Sequence, residues 1–334
     1  MSEIRKDIVT GVWTIIALER GKRPYDFEKQ SVIKNHEVCP FCVGNEEETP
    51  PEVLAYRTKQ GEPNNSNWKV RVVPNKYAAL KEYKAIETIK GFYETVTGYG
   101  IHEVLIDSPK HEDTIGSMSH EQLELVLKAI GERHQAIRLD EKIKYIQVFK
   151  NQGAEAGASL QHPHWQIIGV PLIPEYQKKV LKGSKKYYQE HGKCVYCEML
   201  RYEQSAKVRI IQDNKYFVSF APYASRFCYE TWIMPKQHIY DFGGLKEEHI
   251  KYLARILKDL IQRYESVFEG ISYNVCFLGP SQEPSTEKDF HWHMQVIPRL
   301  GNLGGFELST GSYINPTPPE MAAETLKKVI IKKR

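Results

Sequence analysis

The chain has 334 residues, 41% of them hydrophobic and 26% charged, with a formal net charge of +4. That size supports one large domain or two ordinary ones, and the mild positive balance suits an anionic small molecule without calling for nucleic acid. No apolar run is long enough to span a membrane, and the opening Met1-Ser2-Glu3-Ile4-Arg5-Lys6-Asp7 lacks the apolar core of a signal peptide, so a cytoplasmic protein is expected.

In chain order, the first chemical signal is Cys39-Pro40-Phe41-Cys42, one of two C-x-x-C pairs among six cysteines. In a cytosolic chain such pairs favour metal or redox chemistry over structural disulfides. Arg71 to Leu80 follows, containing Pro74-Asn75-Lys76-Tyr77, and then the strand-like Glu103 to Asp107 ending in Ser108-Pro109-Lys110-His111. A helix is predicted from Ser119, where Ser-x-x-Gln reads as a capping box and Leu123, Leu127, Ile130, His134 and Ile137 recur at helical spacing.

The run from Asn151 to Gln166 is the most informative stretch. A glycine-rich loop (Gly153, Gly157, Ser159) leads into His162-Pro163-His164-Trp165-Gln166, and Ile167 to Val170 reads as a strand. Alternate strand residues share a face, so His162, His164 and Gln166 are expected to point into one site, with Trp165 turned to the core. Amides of the loop can approach an anion.

Residues 172–192 read as a link, after which the order of features recurs. Cys194-Val195-Tyr196-Cys197 is followed by Asp213-Asn214-Lys215-Tyr216, by Glu230 to Pro235 ending in Lys236-Gln237-His238, and by a second predicted helix with Ile250, Leu253, Leu257, Leu260 and Tyr264 in phase. Phe290-His291-Trp292-His293-Met294-Gln295 completes the match. In both halves about fifty residues separate the proline-histidine signal from the histidine pair. The expected fold is α+β, with two tandem repeats, each an antiparallel sheet packed with a long helix, forming an internal pseudo-dimer. The expected division is 1–176 and 177–334. Cys228 and Cys276 are expected as buried thiols, Gly304 to Glu307 and Asn315 to Pro319 as turn-rich, and Glu320 to Val329 as a terminal helix.

Zinc takes four ligands, commonly two cysteines close in sequence and two distant histidines. Cys39, Cys42, His111 and His162 form one such set, and Cys194, Cys197, His238 and His291 form the other, at like places in each repeat. Two structural zinc ions are expected. A redox pair is the alternative, but no thioredoxin-like βαβ pattern surrounds either C-x-x-C.

His164 is the expected nucleophile. A neutral imidazole nitrogen can attack an α-phosphorus and form a nucleotidyl-histidine, which a second phosphate then splits. Negative charge on the equatorial oxygens needs positioned donors. Ser159, the amides near Gly157 and Gln166 are expected to supply them, and His162 to orient the strand start. His293 stands at the His164 position of the second repeat, but the stretch before it, Gly279 to Thr286, lacks the tight Gly-x-Ser approach and carries acids. That half is read as a scaffold.

Cys-Pro-x-Cys, Ser-Pro-x-His and Asn-x-Gly…Gly-x-Ser…His-Pro-His-x-Gln, together with the opening through Arg20-Gly21-Lys22-Arg23-Pro24, resemble the galactose-1-phosphate uridylyltransferase family, a two-repeat branch of the histidine-triad superfamily. The resemblance covers nearly the whole chain. It implies ping-pong nucleotidyl transfer through His164, with Gln166 supporting the intermediate. It also implies phosphate contacts at Ser159, Asn151 and Gly157, a nucleoside-side role for Asn75, and basic residues Arg20 and Arg23 reaching substrate phosphates, in some members across a dimer interface. Trp165 replaces the Gly or Cys of the best-known members, and Tyr273 to Gly279 has no histidine for a second metal site of the one-glutamate, three-histidine kind. The second C-x-x-C, His238 and the tail resemble instead the branch that includes ADP-glucose phosphorylase.

The expected partners are therefore a nucleotide sugar and a phosphate or sugar phosphate, with a homodimer possible and no nucleic acid or membrane. If the acceptor is hexose 1-phosphate, the enzyme is a uridylyltransferase. If it is inorganic phosphate, the enzyme is a phosphorylase of ADP-glucose or a dinucleoside polyphosphate. A non-catalytic, zinc-stapled nucleotide-binding protein is the reading from another class.

Overall fold

The computed structural model describes residues 2–6, 13–16, 38–58, 62–282 and 287–331. Helix α1 (His120–Arg138) starts where its cap predicts: the extended Ser119 accepts the Gln122 N–H at 3.1 Å, satisfying one orphan donor of the first turn. The Gln122 side chain does not reach back to complete a capping box. It donates to the carbonyls of Asp107 at 2.5 Å and Lys69 at 2.8 Å, tying the helix to the sheet. Helix α2 (Glu175–His191) occupies most of the stretch read as a link, ending at Gly192, whose φ of +65° closes it in the left-handed region. Helices α3 (Val195–Ala206), α4 (Glu247–Val267), α5 (Gly305–Thr310) and α6 (Pro319–Lys328) complete the set. The last agrees with the predicted terminal helix, and the first turn of α5 takes up Gly305 to Glu307 of a stretch expected to be turn-rich. Among the described residues no helix is long and apolar enough to cross a membrane.

The first half supplies strands β1 (Glu3–Lys6), β2 (Trp13–Ile16), β3 (Leu54–Arg57), β4 (Trp68–Pro74), β5 (Thr88–Lys90), β6 (Glu94–Thr97), β7 (Ile101–Ile106), β8 (Tyr145–Gln152) and β9 (His164–Val170). The second supplies β10 (Ile210–Asp213), β11 (Phe217–Phe220), β12 (Thr231–Pro235), β13 (Tyr273–Leu278) and β14 (His293–Pro298). One ten-stranded antiparallel sheet runs β10-β11-β12-β14-β13-β8-β9-β7-β4-β3, and a smaller sheet runs β2-β1-β6-β5. The large sheet reads alike outward from the β13–β8 joint in both directions, where Asn274 pairs with Asn151 and Cys276 with Phe149. This is the α+β pseudo-dimer expected from the repeats.

That strand order corrects the match between halves in two places. Strands β10 and β11 stand where β3 and β4 do, so the two Asn-Lys-Tyr turns are not equivalent: Asn75 follows β4, whereas Asn214 precedes β11. Val104 pairs with Gln166 and Trp232 pairs with Gln295, so Val104 and Trp232 correspond, and His102 corresponds to Glu230. Cys228 lies in a turn, and it and Cys276 are half-buried rather than buried.

The long helices decide which sheet face is core. Leu123, Leu127, Ile130 and Ile137 of α1, and Ile250, Leu253, Leu257, Leu260 and Tyr264 of α4, are buried in one cluster with the strand residues Leu105, Val148, Trp165, Ile167, Val275, Phe277, Met294 and Val296. Each such aliphatic side chain contributes roughly 1.5–3 kcal/mol when removed from water. The alternating residues, His102, Val104, Ile106, Phe149, Asn151, His164 and Gln166 in the first half, face the opposite way. In the second half that opposite face is filled: Cys194, Tyr196 and Leu200 at α3 pack with Val218, Phe220, Met234, Leu278 and Phe290.

Candidate active site and metal centres

The turn from Cys39 to Cys42 is closed by Cys42 N–H donating to the Cys39 carbonyl at 3.2 Å, which brings both sulfurs to one side. The Nδ1 of His111 lies 3.3 Å from the Cys42 sulfur, and the Nδ1 of His162 lies 3.6 Å from Cys42 and 3.8 Å from Cys39. In the second half His238 Nδ1 is 3.2 Å and His291 Nδ1 is 3.5 Å from the Cys197 sulfur. In each set the four ligand atoms lie within 4.8 Å of one another. An ion with bonds of about 2.1 Å to nitrogen and 2.3 Å to sulfur needs tetrahedral edges of roughly 3.5 Å, so both sets fit a four-coordinate metal.

The chemistry of the donors agrees with that geometry. His162 Nε2 is 2.8 Å from the Ser108 carbonyl and His238 Nε2 is 2.8 Å from the Glu287 carbonyl. A carbonyl only accepts, so each Nε2 carries the proton and each Nδ1 presents its lone pair to the cluster. Burial pushes His162 down to about 4 and His291 to about 3, which keeps both neutral, as a metal ligand must be. Burial and the neighbouring Cys39 push the Cys42 thiol up to about 11, so two thiolates coexist there only with a cation to compensate them. In the second set the neighbouring Cys197 and His238 hold the Cys194 thiol below its ordinary range.

His162 and His164 flank Pro163 and divide two tasks. His162 joins the cysteines, while His164 opens β9 and is 6% exposed. His164 Nδ1 lies 2.8 Å from the His162 carbonyl. By the same argument Nδ1 holds the proton and Nε2 is the nitrogen with a lone pair. Phe41, inside the C-x-x-C turn, packs its ring at 5.4 Å against His164 and at 6.1 Å against His162. The metal turn thus presses directly on the imidazole beside it. In the sequence only its place between two cysteines marks Phe41.

Gln166 is on the same face. Its Oε1 lies 2.9 Å from His102 Nε2, and the Asn75 amide nitrogen is 3.1 Å from that same ring nitrogen. Asn75 Oδ1 accepts the Tyr77 N–H at 2.9 Å, so Asn75 closes a local turn beside the site. His102 was missed in the sequence, where it belongs to no spaced motif. Its alternation with Val104 and Ile106 was the available signal.

The glycine loop departs from expectation. Gly153 and Gly157 have φ of +82° and +80°, and a Cβ on Gly153 would lie 2.1 Å from Ser272 Oγ. The loop closes on itself: Ala156 and Ala158 donate to the Gly153 carbonyl, and Gly157 donates to the Ala154 carbonyl. These amides are therefore not aimed at an anion. Asn274 from the second repeat holds the loop, its Nδ2 2.9 Å from both Asn151 Oδ1 and the Ala156 carbonyl, and Asn151 Nδ2 is 3.4 Å from the Gly157 carbonyl. Ser159 is exposed. Arg20 and Arg23 lie outside the described residues.

Beneath the site, Lys150 and Asp107 form a fully buried pair at 2.8 Å, and Lys150 Nζ also lies 3.3 Å from the His164 carbonyl. Trp165 is fully buried against Phe277, with Lys150 6.0 Å from its ring, as its alternation predicted.

The second repeat keeps the histidine and glutamine but not the opening. His293 is fully buried, stacked on Trp232 at 4.5 Å and packed by Tyr196 at 5.1 Å. Burial holds it down at about 4. We expect His293→Asn to leave turnover within about twofold while lowering stability by about 1–3 kcal/mol, read from initial rates and urea midpoints. A large loss of rate in a well-folded variant would contradict the scaffold reading of this half.

A histidine braced by a Cys₂His₂ cluster and set beside a glutamine, on one repeat of a doubled α+β sheet, is the arrangement to which the comparisons with known proteins apply. The chain belongs to the galactose-1-phosphate uridylyltransferase family of nucleotidyltransferases: residues 1–174 match the model of the galactose-1-phosphate uridyl transferase N-terminal domain, and residues 180–329 match that of its C-terminal domain. It is 37% identical to the ADP-glucose phosphorylase of Arabidopsis thaliana, over 98% of this chain and 93% of that one. It is 28% identical to the galactose-1-phosphate uridylyltransferase of Thermotoga maritima, over 98% of each. A crystal structure of an ADP-glucose phosphorylase from Arabidopsis thaliana with bound ADP-glucose superposes with a TM-score of 0.78 at 34% identity, covering 99% of this chain and all of that one.

Proposed function

We propose that this enzyme moves a nucleoside monophosphate from a nucleotide sugar to a phosphate acceptor through a covalent intermediate on His164. The observation that carries the reading is the tautomer of His164. With its proton held on Nδ1 by the His162 carbonyl at 2.8 Å, the ring presents Nε2 as a nucleophile at neutral pH. In the first half-reaction Nε2 bonds to the α-phosphorus as the bond from that phosphorus to the bridging oxygen breaks. The sugar phosphate leaves with the bond's electron pair. In the second, an oxygen of the acceptor phosphate bonds to phosphorus and the electron pair returns to Nε2. The Gln166 amide, Ser159 and the Asn151 side chain are the groups we assign to the phosphoryl oxygens. Asn75 is assigned to the nucleoside side, and Arg20 and Arg23 to the outer phosphates.

We assign zinc to both Cys₂His₂ sets, because two thiolates and two imidazoles in a tetrahedral array are its preferred structural donors. Its part is to hold the turn bearing Phe41 and the His162 end of β9. Residues 1–176 are assigned as the catalytic repeat and 177–334 as its scaffold.

Two acceptors fit the chemistry. A hexose 1-phosphate acceptor makes the enzyme a uridylyltransferase. Inorganic phosphate makes it a phosphorylase, a reading favoured by the full-length identity to the Arabidopsis ADP-glucose phosphorylase. Intact-mass measurement after incubation with ADP-glucose or UDP-glucose discriminates the donors: we expect the mass of one nucleoside monophosphate added to His164. Chasing that adduct with inorganic phosphate or galactose 1-phosphate identifies the acceptor by its product. Absence of any adduct with a panel of nucleotide sugars would sink the covalent reading.

A further inference from the structure

We infer that His102 is a positioning residue that locks the Gln166 carboxamide with its NH₂ group toward the phosphoryl oxygens. The inference rests on the proposed role of His164. The Gln166 oxygen and the Asn75 amide nitrogen, which can only donate, compete for Nε2, and the backbone contact at the other ring nitrogen decides the protonation state of His102. Its Nδ1 accepts the Ala79 N–H at 3.1 Å, so that nitrogen carries no proton. A neutral ring then has its proton on Nε2, which lies 2.9 Å from Gln166 Oε1. The carboxamide oxygen is the acceptor Gln166 offers to that donor, so Oε1 faces His102 and the NH₂ group turns the other way. His102 is 4% exposed and sits on the strand paired with β9, so the ring end of the clamp is buried, while Gln166 is half-buried. A freely rotating carboxamide would present oxygen to an anionic phosphoryl group part of the time, which opposes reaction.

The second repeat repeats this arrangement with other atoms. Glu230 holds the His102 position. It binds the Arg226 guanidinium at 3.0 Å, and Arg226 in turn donates to Gln295 Oε1 at 2.9 Å. With its oxygen so held, Gln295 turns its Nε2 to 3.5 Å from His293 Nε2. Two unrelated donors, each at or anchored by the same strand position, thus fix the glutamine oxygen, and in the second repeat the amide nitrogen then faces the ring nitrogen of the strand's first histidine. In the first repeat that ring nitrogen is the proposed nucleophile.

The test is a double-mutant cycle on the intact, metal-loaded enzyme, reading the single-turnover rate of adduct formation on His164. His102→Phe is expected to slow it ~10–100-fold, the range seen when a supporting hydrogen bond to a reacting-site group is removed. In a Gln166→Ala background the same change is expected to cost no more than about twofold, because the group it positions is gone. Additive losses would mean that His102 acts on packing alone and would overturn the inference. Histidine-selective ¹⁵N NMR of the unmodified protein gives an answer independent of folding of the variants: His102 is expected as the Nε2–H tautomer, and an Nδ1–H signal refutes the clamp. If the unmodified enzyme forms no adduct at all, the failure is that of the covalent reading, and the NMR tautomer, which needs no adduct, reports on the clamp separately.

Discussion

His164→Asn is expected to lower turnover by at least about 10⁴-fold, the scale on which losing a nucleophile acts, and to abolish the nucleotidyl adduct while leaving the fold intact. The asparagine side chain can still donate to the His162 carbonyl, the contact that His164 Nδ1 makes at 2.8 Å. It cannot offer an aromatic nitrogen with a lone pair at the Nε2 position. The packing lost is one edge contact with Phe41 at 5.4 Å, too little to unfold a sheet whose core lies on the other face. Steady-state rates and intact mass check both parts. A variant that retains turnover within tenfold would mean that phosphate attacks phosphate directly, with the histidine reduced to a general acid or hydrogen-bond donor. His164→Gly with added imidazole adds a further check: free imidazole is expected to restore part of the first half-reaction.

The second large effect concerns metal. Two zinc ions per chain are expected by elemental analysis, falling to one in Cys42→Ser and one in Cys197→Ser. The two variants should differ in kind. Loss of the first ion frees the turn that carries Phe41 and releases His162 from the cysteines, so the surroundings of His164 change together and turnover is expected to fall ~100-fold or more. Loss of the second ion frees the end of α3 from β12 and the His291 end of β14, in a half whose opening is already filled by Trp232 and Tyr196. There the expected loss is in stability, with turnover within about fivefold. Metal sites of this type contribute about 10 kcal/mol or more to small folds. Even half of that would lower the unfolding temperature by about 10 °C, at 2 °C or more per kcal/mol. Equal loss of rate in the two variants would contradict the division of labour between the repeats. Cys42→Ser protein that keeps both ions would contradict the ligand assignment itself.

Much of this was legible residue by residue. The apolar phase of Leu123 to Ile137 and of Ile250 to Tyr264 marks both long helices because each must bury one stripe on the sheet. The alternation through His164, Trp165 and Gln166 separates site from core because a strand has two faces. The Cys₂His₂ sets could be assembled from spacing because the repeat supplies each assignment twice. Other features were hidden for reasons equally physical. Helix α2 was obscured because its Lys/Tyr-rich run carries few apolar residues, and only Gln177 and Ser184 are buried along it. The apparent likeness of the two Asn-Lys-Tyr turns was misleading because an asparagine closing a turn beside a strand end serves either end of a strand.

The sequence by itself determined the fold class, the doubled organisation, the metal-ligand sets and the histidine expected to carry the chemistry, because periodicity and short-range spacing are local properties written along the chain. Only the tertiary structure decided which amides remain for a substrate, that Phe41 joins the metal turn to His164, that His102 grips Gln166, and that His293 is sealed between Trp232 and Tyr196. Each of these depends on strand register and on which face a distant helix covers. A one-residue slip in either exchanges core for site without altering any local pattern.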